Sequence, residues 1–120
     1  MGRLFGETMF QLDEHDSLIP DISVVFAGRI APGSSGWIQG APEIATEIVS
    51  SETAAALERK IDLYLAHGGK SVWVVFPEQR LVRIFDAANR ATKYEEGQTL
   101  DDPSVLSGFS TPVSAIFEGI

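Results

Sequence analysis

The hydrophobic residues of this chain fall into short continuous runs that predict β-strands. Such runs, which scarcely alternate with polar positions, are typical of strands buried on both faces. They occupy residues 18–27, 44–50, 71–76 and 81–86. Residues 4–12 alternate loosely and predict an earlier strand, whereas residues 91–95 predict a short strand that extends the hairpin of residues 71–86.

One segment, residues 51–67, has the hydrophobic spacing of an amphipathic helix. Its apolar positions form a single stripe at Leu57, Ile61, Tyr64 and Leu65. Ser51 or Thr53 supplies an N-cap, and the glycines at 68 and 69 end the helix. Residues 113–117 predict a second, short helix near the end of the chain.

The order of elements predicts the fold class. Residues 28–41 contain the strongest cluster of turn-forming residues, PGSSG at 32–36, and are predicted to be a loop. Strands, one long helix and further strands follow one another without a repeat or a linker. We therefore predict one α/β domain over residues 1–120, a mixed β-sheet with one main helix packed on one face.

Composition excludes several classes of protein. The chain has 120 residues, 44% of them hydrophobic, and no cysteine, which rules out disulfides and thiolate metal sites. No apolar run approaches the roughly 20 residues of a membrane span. The first six residues lack the long apolar core of a secretory signal. We therefore expect a cytoplasmic protein with no membrane partner.

The charge balance is acidic, with 17 Asp and Glu against 9 Lys and Arg and a net charge of -8. Proteins that bind nucleic acids usually carry a basic surface, because contacts with phosphates dominate their affinity. The composition therefore argues against strong autonomous DNA binding. An acidic site that binds Mg²⁺ nevertheless reverses its own local charge.

Two acids interrupt the apolar runs and require an explanation. Asp21 stands near the start of the run at residues 18–27, and Glu47 lies inside the run at residues 44–50. Burying a carboxylate is costly unless it is neutralised. If the two strands pair, both carboxylates meet at one end of the sheet and can bind Mg²⁺, together with the backbone carbonyl of Ile48. Lys60, on the following helix, can then orient the attacking water or stabilise charge on a phosphate.

Each of these residues also has a purely structural interpretation. An Asp that follows a proline, as Asp21 follows Pro20, is usually a turn or capping residue. Glu47 can be neutralised by an ion pair with Lys60 or Arg59. The sequence contains no glycine-rich phosphate-binding loop and no spacing typical of a Ser or His nucleophile. The residues alone therefore leave a metal site and a buried ion pair as alternatives.

Four motifs in series resemble the Uma-two family of restriction endonucleases, a branch of the PD-(D/E)xK nuclease superfamily. The motifs are PDISVV at residues 20–25, GAPEIATEIVS at 40–50, KIDLYLAHGG at 60–69 and VWVVFPE at 72–78. The resemblance covers about residues 18–117. It implies a restriction-endonuclease-like fold, Mg²⁺-dependent hydrolysis of DNA phosphodiester bonds with Mn²⁺ as a substitute ion, and a homodimer.

The resemblance also implies roles for particular residues. The metal-binding acids of the family fall on Asp21 and Glu47. Val49 stands where other nucleases of the superfamily have a lysine. The corresponding lysine of this family lies on the helix and matches Lys60. The predicted catalytic residues are therefore Asp21, Glu47 and Lys60.

The sequence departs from the family pattern in two places. Family members usually carry an N-terminal helix and a hairpin before the Pro-Asp strand, so the N-terminal part is shortened here; Glu7, Asp13 or Glu14 are candidates for an additional acid. The proline that usually follows the Glu strand is absent from residues 50–53. A catalytically inactive, dimeric interaction domain of the same fold is therefore the alternative function. A dimer would cover exposed strand edges, and the hairpin of residues 71–86 is the candidate surface.

Overall fold

The computed structural model describes residues 2–5, 9–12, 17–18, 20–26 and 37–118. The elements in chain order are β1 (Gly2–Phe5), β2 (Met9–Gln11), β3 (Ser17–Leu18), β4 (Ile22–Phe26), β5 (Trp37–Gln39), β6 (Ile44–Ile48), α1 (Ala54–Ala66), β7 (Ser71–Phe76), β8 (Leu81–Asp86), β9 (Ala91–Glu95), β10 (Thr99–Asp101), β11 (Ser110–Pro112) and α2 (Val113–Phe117).

A mixed sheet with the strand order β1-β4-β6-β7-β8-β9 forms the centre of the described structure. Strands β6 and β7 pair in parallel, and the other neighbours pair antiparallel. Parallel strands require a crossover connection, and here α1 provides it. Two smaller sheets accompany the central one, β3-β2-β5 and β10-β11.

Both faces of the central sheet are covered, as its apolar strands predict. Helix α1 and strand β2 cover one face, where the buried residues are Phe10, Leu12, Val25, Ala41, Ala45, Ile61, Tyr64, Val72 and Val74. The C-terminal elements cover the other face, where the buried residues are Val75, Val82, Ile84, Leu100, Val113 and Phe117. Side chains alternate along each strand, so neighbouring residues of β7 belong to different cores.

Helix α1 begins and ends where its capping residues lie. The Thr53 side chain accepts a hydrogen bond from the backbone N–H of Ala56, so the helix begins at Ala54. At the other end, the backbone N–H of Gly69 donates to the carbonyl oxygen of Tyr64 at 2.9 Å. A Cβ atom on Gly69 would lie 2.7 Å from that oxygen, which explains the glycine. Within the described residues, no helix is long and apolar enough to cross a membrane.

The structure confirms most of the predicted elements and corrects four expectations. Strands β7, β8 and β9 and helix α2 have the predicted bounds. Residues 4–12 are not one strand, because β1 and β2 belong to different sheets. Residues 18–27 are not one strand either, because Leu18 ends β3 and residues 22–26 form β4, in another sheet. Residues 37–39 of the predicted loop form β5, which pairs with β2. Strands of two or three residues, such as β10 and β11, are too short to show the alternation on which the prediction depends.

The expectation that the hairpin of residues 71–86 offers a strand edge to a second copy is wrong. Strands β7 and β8 both have hydrogen-bonded neighbours on either side, and β9 is the edge at this end of the central sheet. Part of that edge is closed, because the N–H and carbonyl groups of Glu95 both bond to Gln98. Lys93 lies in the middle of β9, and a lysine on an edge strand disfavours pairing with another strand.

Replacing the N-cap of α1 tests the local stability of the helix that carries the candidate site. We expect Thr53→Ala to lower the free energy of unfolding by about 1 kcal/mol, because the N–H of Ala56 loses its acceptor. Thr53→Ser keeps the hydroxyl and is the matched control. Urea unfolding monitored by circular dichroism measures both variants, and equal stability of the two would contradict the assigned cap.

Candidate metal centre

Asp21 is fixed against the neighbouring strand β6 by two hydrogen bonds. Its backbone N–H donates to the carbonyl oxygen of Thr46 at 3.1 Å. Its side-chain Oδ2 accepts the backbone N–H of Ile48 at 2.7 Å. The second bond joins residues 27 positions apart in the chain. The side chain of Asp21 therefore links two strands, and the interpretation as a local turn or capping residue does not apply.

The pairing of β4 with β6 brings Asp21 to the end of β6 that carries Glu47. Ile22 lies opposite Thr46 in this antiparallel pair. The ladder ends there, because the Asp21 N–H bonds to the same residue, Thr46. The charge of Asp21 nevertheless reaches Glu47 and raises the pKa of its carboxyl group. Glu47 points to the face covered by α1, because it contacts two residues of that helix.

Glu47 is a buried acid with two partners on α1. Its side chain is in the protein interior, and the residue is 3% exposed. Oε1 lies 3.3 Å from Nζ of Lys60, and Oε2 accepts the hydroxyl of Tyr64 at 2.8 Å. Lys60 and Tyr64 are four residues apart, so they share one side of the helix. One turn of α1 therefore supplies both groups that satisfy the carboxylate.

Burial and the neighbouring groups act in opposite directions on the Glu47 carboxyl. Burial raises its pKa above the ordinary value, and the charge of Asp21 adds to this rise. The Tyr64 hydrogen bond and the charge of Lys60 lower the pKa and oppose the shift. Burial, followed by the charge of Glu47, raises the pKa of Tyr64 far above its usual range. Tyr64 therefore remains protonated and acts as a hydrogen-bond donor.

The backbone of Ile48 faces the strand that carries Asp21. The N–H of Val49 donates to the carbonyl oxygen of Val75 on the β7 side. Backbone groups of successive residues in a strand point to opposite edges, so those of Ile48 point towards β4. The hydrogen bond from the Ile48 N–H to Asp21 agrees with this direction. The Ile48 carbonyl is therefore directed to the same side of β6 as Asp21.

A cleft of about 460 Å³ opens at the same end of the sheet, between the end of β6, the start of α1 and the turn after β7. Its polar lining includes Ser50, Glu52 and Glu78. Hydrogen bonds from the backbone N–H groups of Glu52 and Ser50, together with the charge of Lys60, lower the pKa of Glu52. The charge of Lys60 therefore lowers the pKa of two acids, Glu47 in β6 and Glu52 in the segment between β6 and α1.

The arrangement suits a cation that takes only part of its ligands from protein. In the part of the chain that the structure describes, no group of three His, Cys, Asp or Glu side chains is placed to hold a metal. Mg²⁺ commonly binds through one or two carboxylates and completes its octahedron with waters and a substrate phosphate. Asp21, Glu47 and the Ile48 carbonyl match that requirement. Glu7, Asp13 and Glu14 lie outside the described residues.

The structure places Lys60 against Glu47 and Asp21 against the backbone of Ile48, and it adds one residue that was missed. Tyr64 was interpreted as a core residue, and it is fully buried, but its hydroxyl also bonds to Glu47. The available signal was its position four residues after Lys60, on the same side of the helix. The ion pair considered as an alternative for Glu47 exists, and its partner is Lys60.

Fold and site together define an α/β domain in which one crossover helix packs a lysine and a tyrosine against a buried acid of a mixed sheet. The family described as "Uma2: Putative restriction endonuclease" matches residues 1–114, and the chain belongs to this family. No curated protein matches the chain significantly.

A solved structure shows the same fold. It is described as that of a "putative nuclease belonging to DUF820" from Anabaena variabilis. The TM-score is 0.85 at 24% sequence identity, and the match covers 98% of this chain and 68% of the other. At this identity the likeness establishes the mixed sheet with one main helix, and it assigns no residue a role.

The raised pKa of Glu47 predicts a pH dependence of stability in metal chelator. The folded state binds the proton of the Glu47 carboxyl more tightly than the unfolded state does. The resulting contribution to the free energy of unfolding is complete at pH values below the ordinary pKa of 4.5, and it is lost as pH rises through the raised pKa of the folded state. The difference in the free energy of unfolding between wild type and Glu47→Gln should therefore change across this window and then level off. Urea titrations at a series of pH values measure it, with Glu58→Gln, an exposed acid of α1, as the matched variant. A constant difference from about pH 4 to about pH 8 would contradict the assignment.

Proposed function

We propose that this protein is a metal-dependent nuclease that hydrolyses phosphodiester bonds of DNA. The observation that carries the proposal is the buried Glu47, which lies 3.3 Å from the ammonium group of Lys60 and is affected by the charge of Asp21, the residue that precedes the adjacent strand β4. Membership of the family supports the same class of activity. The proposal takes DNA as the substrate and Mg²⁺, or Mn²⁺ in its place, as the cofactor.

In this proposal Asp21, Glu47 and the Ile48 carbonyl hold the cation. A divalent cation at such a site polarises a phosphoryl group and lowers the pKa of a bound water. Asp21 is positioned by the Ile48 N–H, and Glu47 by the Tyr64 hydroxyl. These bonds fix the ligands before substrate arrives, which reduces the reorganisation that binding requires.

Lys60 contributes a positive charge that can reach substrate. Its side chain is 33% exposed, so the ammonium group lies at the boundary between the pocket and solvent. Its aliphatic stem is flexible, and a lysine ammonium acts as a mobile point charge towards phosphate. We assign Lys60 to orienting the attacking water or to stabilising the charge that develops on the phosphate.

A bound cation also accounts for how so acidic a protein can bind the phosphates of DNA. With a net charge of -8, and with the charges of Asp21 and Glu47 set against one lysine at the site, the site by itself repels phosphates. A bound divalent cation reverses that local charge. The proposal therefore predicts that DNA binding at the site depends on metal.

The alternative is a catalytically inactive, dimeric interaction domain of the same fold. The observation that favours it is the ion pair itself, because Lys60 and Tyr64 satisfy the buried Glu47 without a metal. In that case the acid and the lysine only stabilise the packing of α1 on the sheet. Metal binding and cleavage distinguish the two functions.

Calorimetric titration with Mg²⁺ and Mn²⁺ tests the metal site directly. We expect wild type to bind and Asp21→Asn and Glu47→Gln to lose about tenfold or more in affinity, because each removes a charged ligand. Glu58→Gln, an exposed acid on α1, is the matched control and should bind like wild type. Cleavage of plasmid DNA should fall in the same two variants. Absence of binding to every protein would support the interaction domain.

The role of Lys60 is tested by separating metal binding from cleavage. We expect Lys60→Met to keep or increase affinity for Mg²⁺, because the ammonium group no longer competes for Oε1 of Glu47. Cleavage should nevertheless fall by about 10²-fold or more, since a charge that stabilises the transition state is lost. Lys70→Met, an exposed lysine after α1, is the matched control. Unchanged cleavage by Lys60→Met would remove this residue from the mechanism.

A further inference from the structure

The two acids of the pocket share a feature that the proposed function does not use. Each carboxylate has one oxygen tied to the protein by a short hydrogen bond. Oδ2 of Asp21 accepts the Ile48 N–H at 2.7 Å, and Oε2 of Glu47 accepts the Tyr64 hydroxyl at 2.8 Å. The other oxygen of Glu47 has only the ion pair with Lys60 within the described residues.

The two partners of Glu47 differ in their freedom to move. Tyr64 is fully buried. It belongs to the core between α1 and the central sheet, together with Ala45, Val72 and Val74 of the sheet. A buried ring in a packed core cannot withdraw without opening a cavity. Lys60 is one-third exposed on a flexible stem and can swing into solvent. The bond to Oε2 is therefore permanent, whereas the contact with Oε1 is exchangeable.

We propose that Tyr64 is a positioning residue that sets the cation selectivity of this site. By holding Oε2 in a hydrogen bond inside the core, it occupies one lone pair of that oxygen and fixes the orientation of the carboxylate. Oε1, whose partner Lys60 can leave, is then the oxygen that a cation reaches, so the acid binds through one oxygen. This inference rests on the proposed function, because it assumes that a divalent cation binds at Glu47. It adds a residue that discriminates between cations.

Single-oxygen ligation favours one class of cation. Mg²⁺ and ions of similar size require a near-regular octahedron with short bonds, which a carboxylate meets with one oxygen. Ca²⁺ takes six to eight ligands at longer distances and readily uses both oxygens of a carboxylate. A Glu47 that is restrained by Tyr64 therefore offers Ca²⁺ one ligand fewer than an unrestrained Glu47 would. The site should prefer Mg²⁺ and Mn²⁺ over Ca²⁺ for this reason.

Tyr64→Phe tests the inference by releasing Oε2 while keeping the ring. The dissociation constants for Mg²⁺, Mn²⁺ and Ca²⁺ are measured by calorimetry, which requires no cleavage. Loss of a residue that orients a metal ligand typically changes affinity about 10–100-fold. We expect the dissociation constant for Ca²⁺ divided by that for Mg²⁺ to fall about tenfold in Tyr64→Phe. The ratio falls because Mg²⁺ binds more weakly while Ca²⁺ binds equally well or more tightly.

Tyr94→Phe is the matched control. It also removes a tyrosine hydroxyl, one that donates to the carbonyl oxygen of Asp101 at 3.3 Å. Tyr94 lies on β9, three strands away from β6, and packs against the core on the opposite face of the sheet. Its ratio of constants should equal that of wild type. A general loosening of the protein would weaken binding of all three cations alike and leave the ratio unchanged, so an unchanged ratio in Tyr64→Phe overturns the inference.

A measurement on the wild-type protein covers the case in which Tyr64→Phe does not fold. Crystals of wild type soaked with Mn²⁺ should show Glu47 bound through Oε1 alone, with the Tyr64 hydroxyl still on Oε2. Two-oxygen ligation by Glu47, or loss of the Tyr64 bond, would overturn the inference and leave the proposed nuclease intact. Absence of any divalent cation binding to wild type would overturn both.

Discussion

The buried carboxylate of Glu47 is the constraint on which the rest of this structure depends. A carboxylate that is 3% exposed is costly unless hydrogen bonds and a nearby positive charge compensate it. The compensation comes from one turn of α1, through the Tyr64 hydroxyl and the Lys60 ammonium group. The acid therefore fixes the rotation of the helix as well as its distance from the sheet, because a different helix face would leave the charge unsatisfied.

The β6-α1-β7 crossover turns this local requirement into a site. Parallel pairing of β6 with β7 requires a connection across one face of the sheet, and α1 passes over the face to which Glu47 points. The antiparallel strand β4 on the other side of β6 brings Asp21 to the same end. The site thus lies at the end of β6, where the residue before β4 is an acid and the following helix carries a lysine. The second core, formed by the C-terminal elements, covers the opposite face and leaves the pocket face to α1.

The same contacts serve stability and the proposed chemistry, and they make different demands on Glu47. In the absence of metal, the ion pair with Lys60 and the hydrogen bond from Tyr64 offset part of the cost of burying the acid, whose pKa burial still raises. Metal binding requires that Oε1 leave that pair, and the partial exposure of Lys60 makes the exchange feasible. Tyr64 takes part in both states without moving. Under the proposed function, this division between one fixed and one exchangeable partner reconciles the burial of Glu47 with a role as a metal ligand.

The sequence by itself determined the α/β class, the position of α1, the strands from β6 to β9 and the residues of the candidate site. These features follow from local periodicity, caps and the placing of acids in apolar runs, which a single sequence displays. The tertiary structure alone decided that β1 and β2 belong to different sheets, that β5 pairs with β2, and that β9 rather than the hairpin is the edge. It also decided which oxygen of each acid is occupied and that Tyr64 supplies a hydrogen bond to Glu47. Strand partners, register and side-chain contacts depend on residues that are distant in the chain, and the free energy that selects them arises only when those residues pack together.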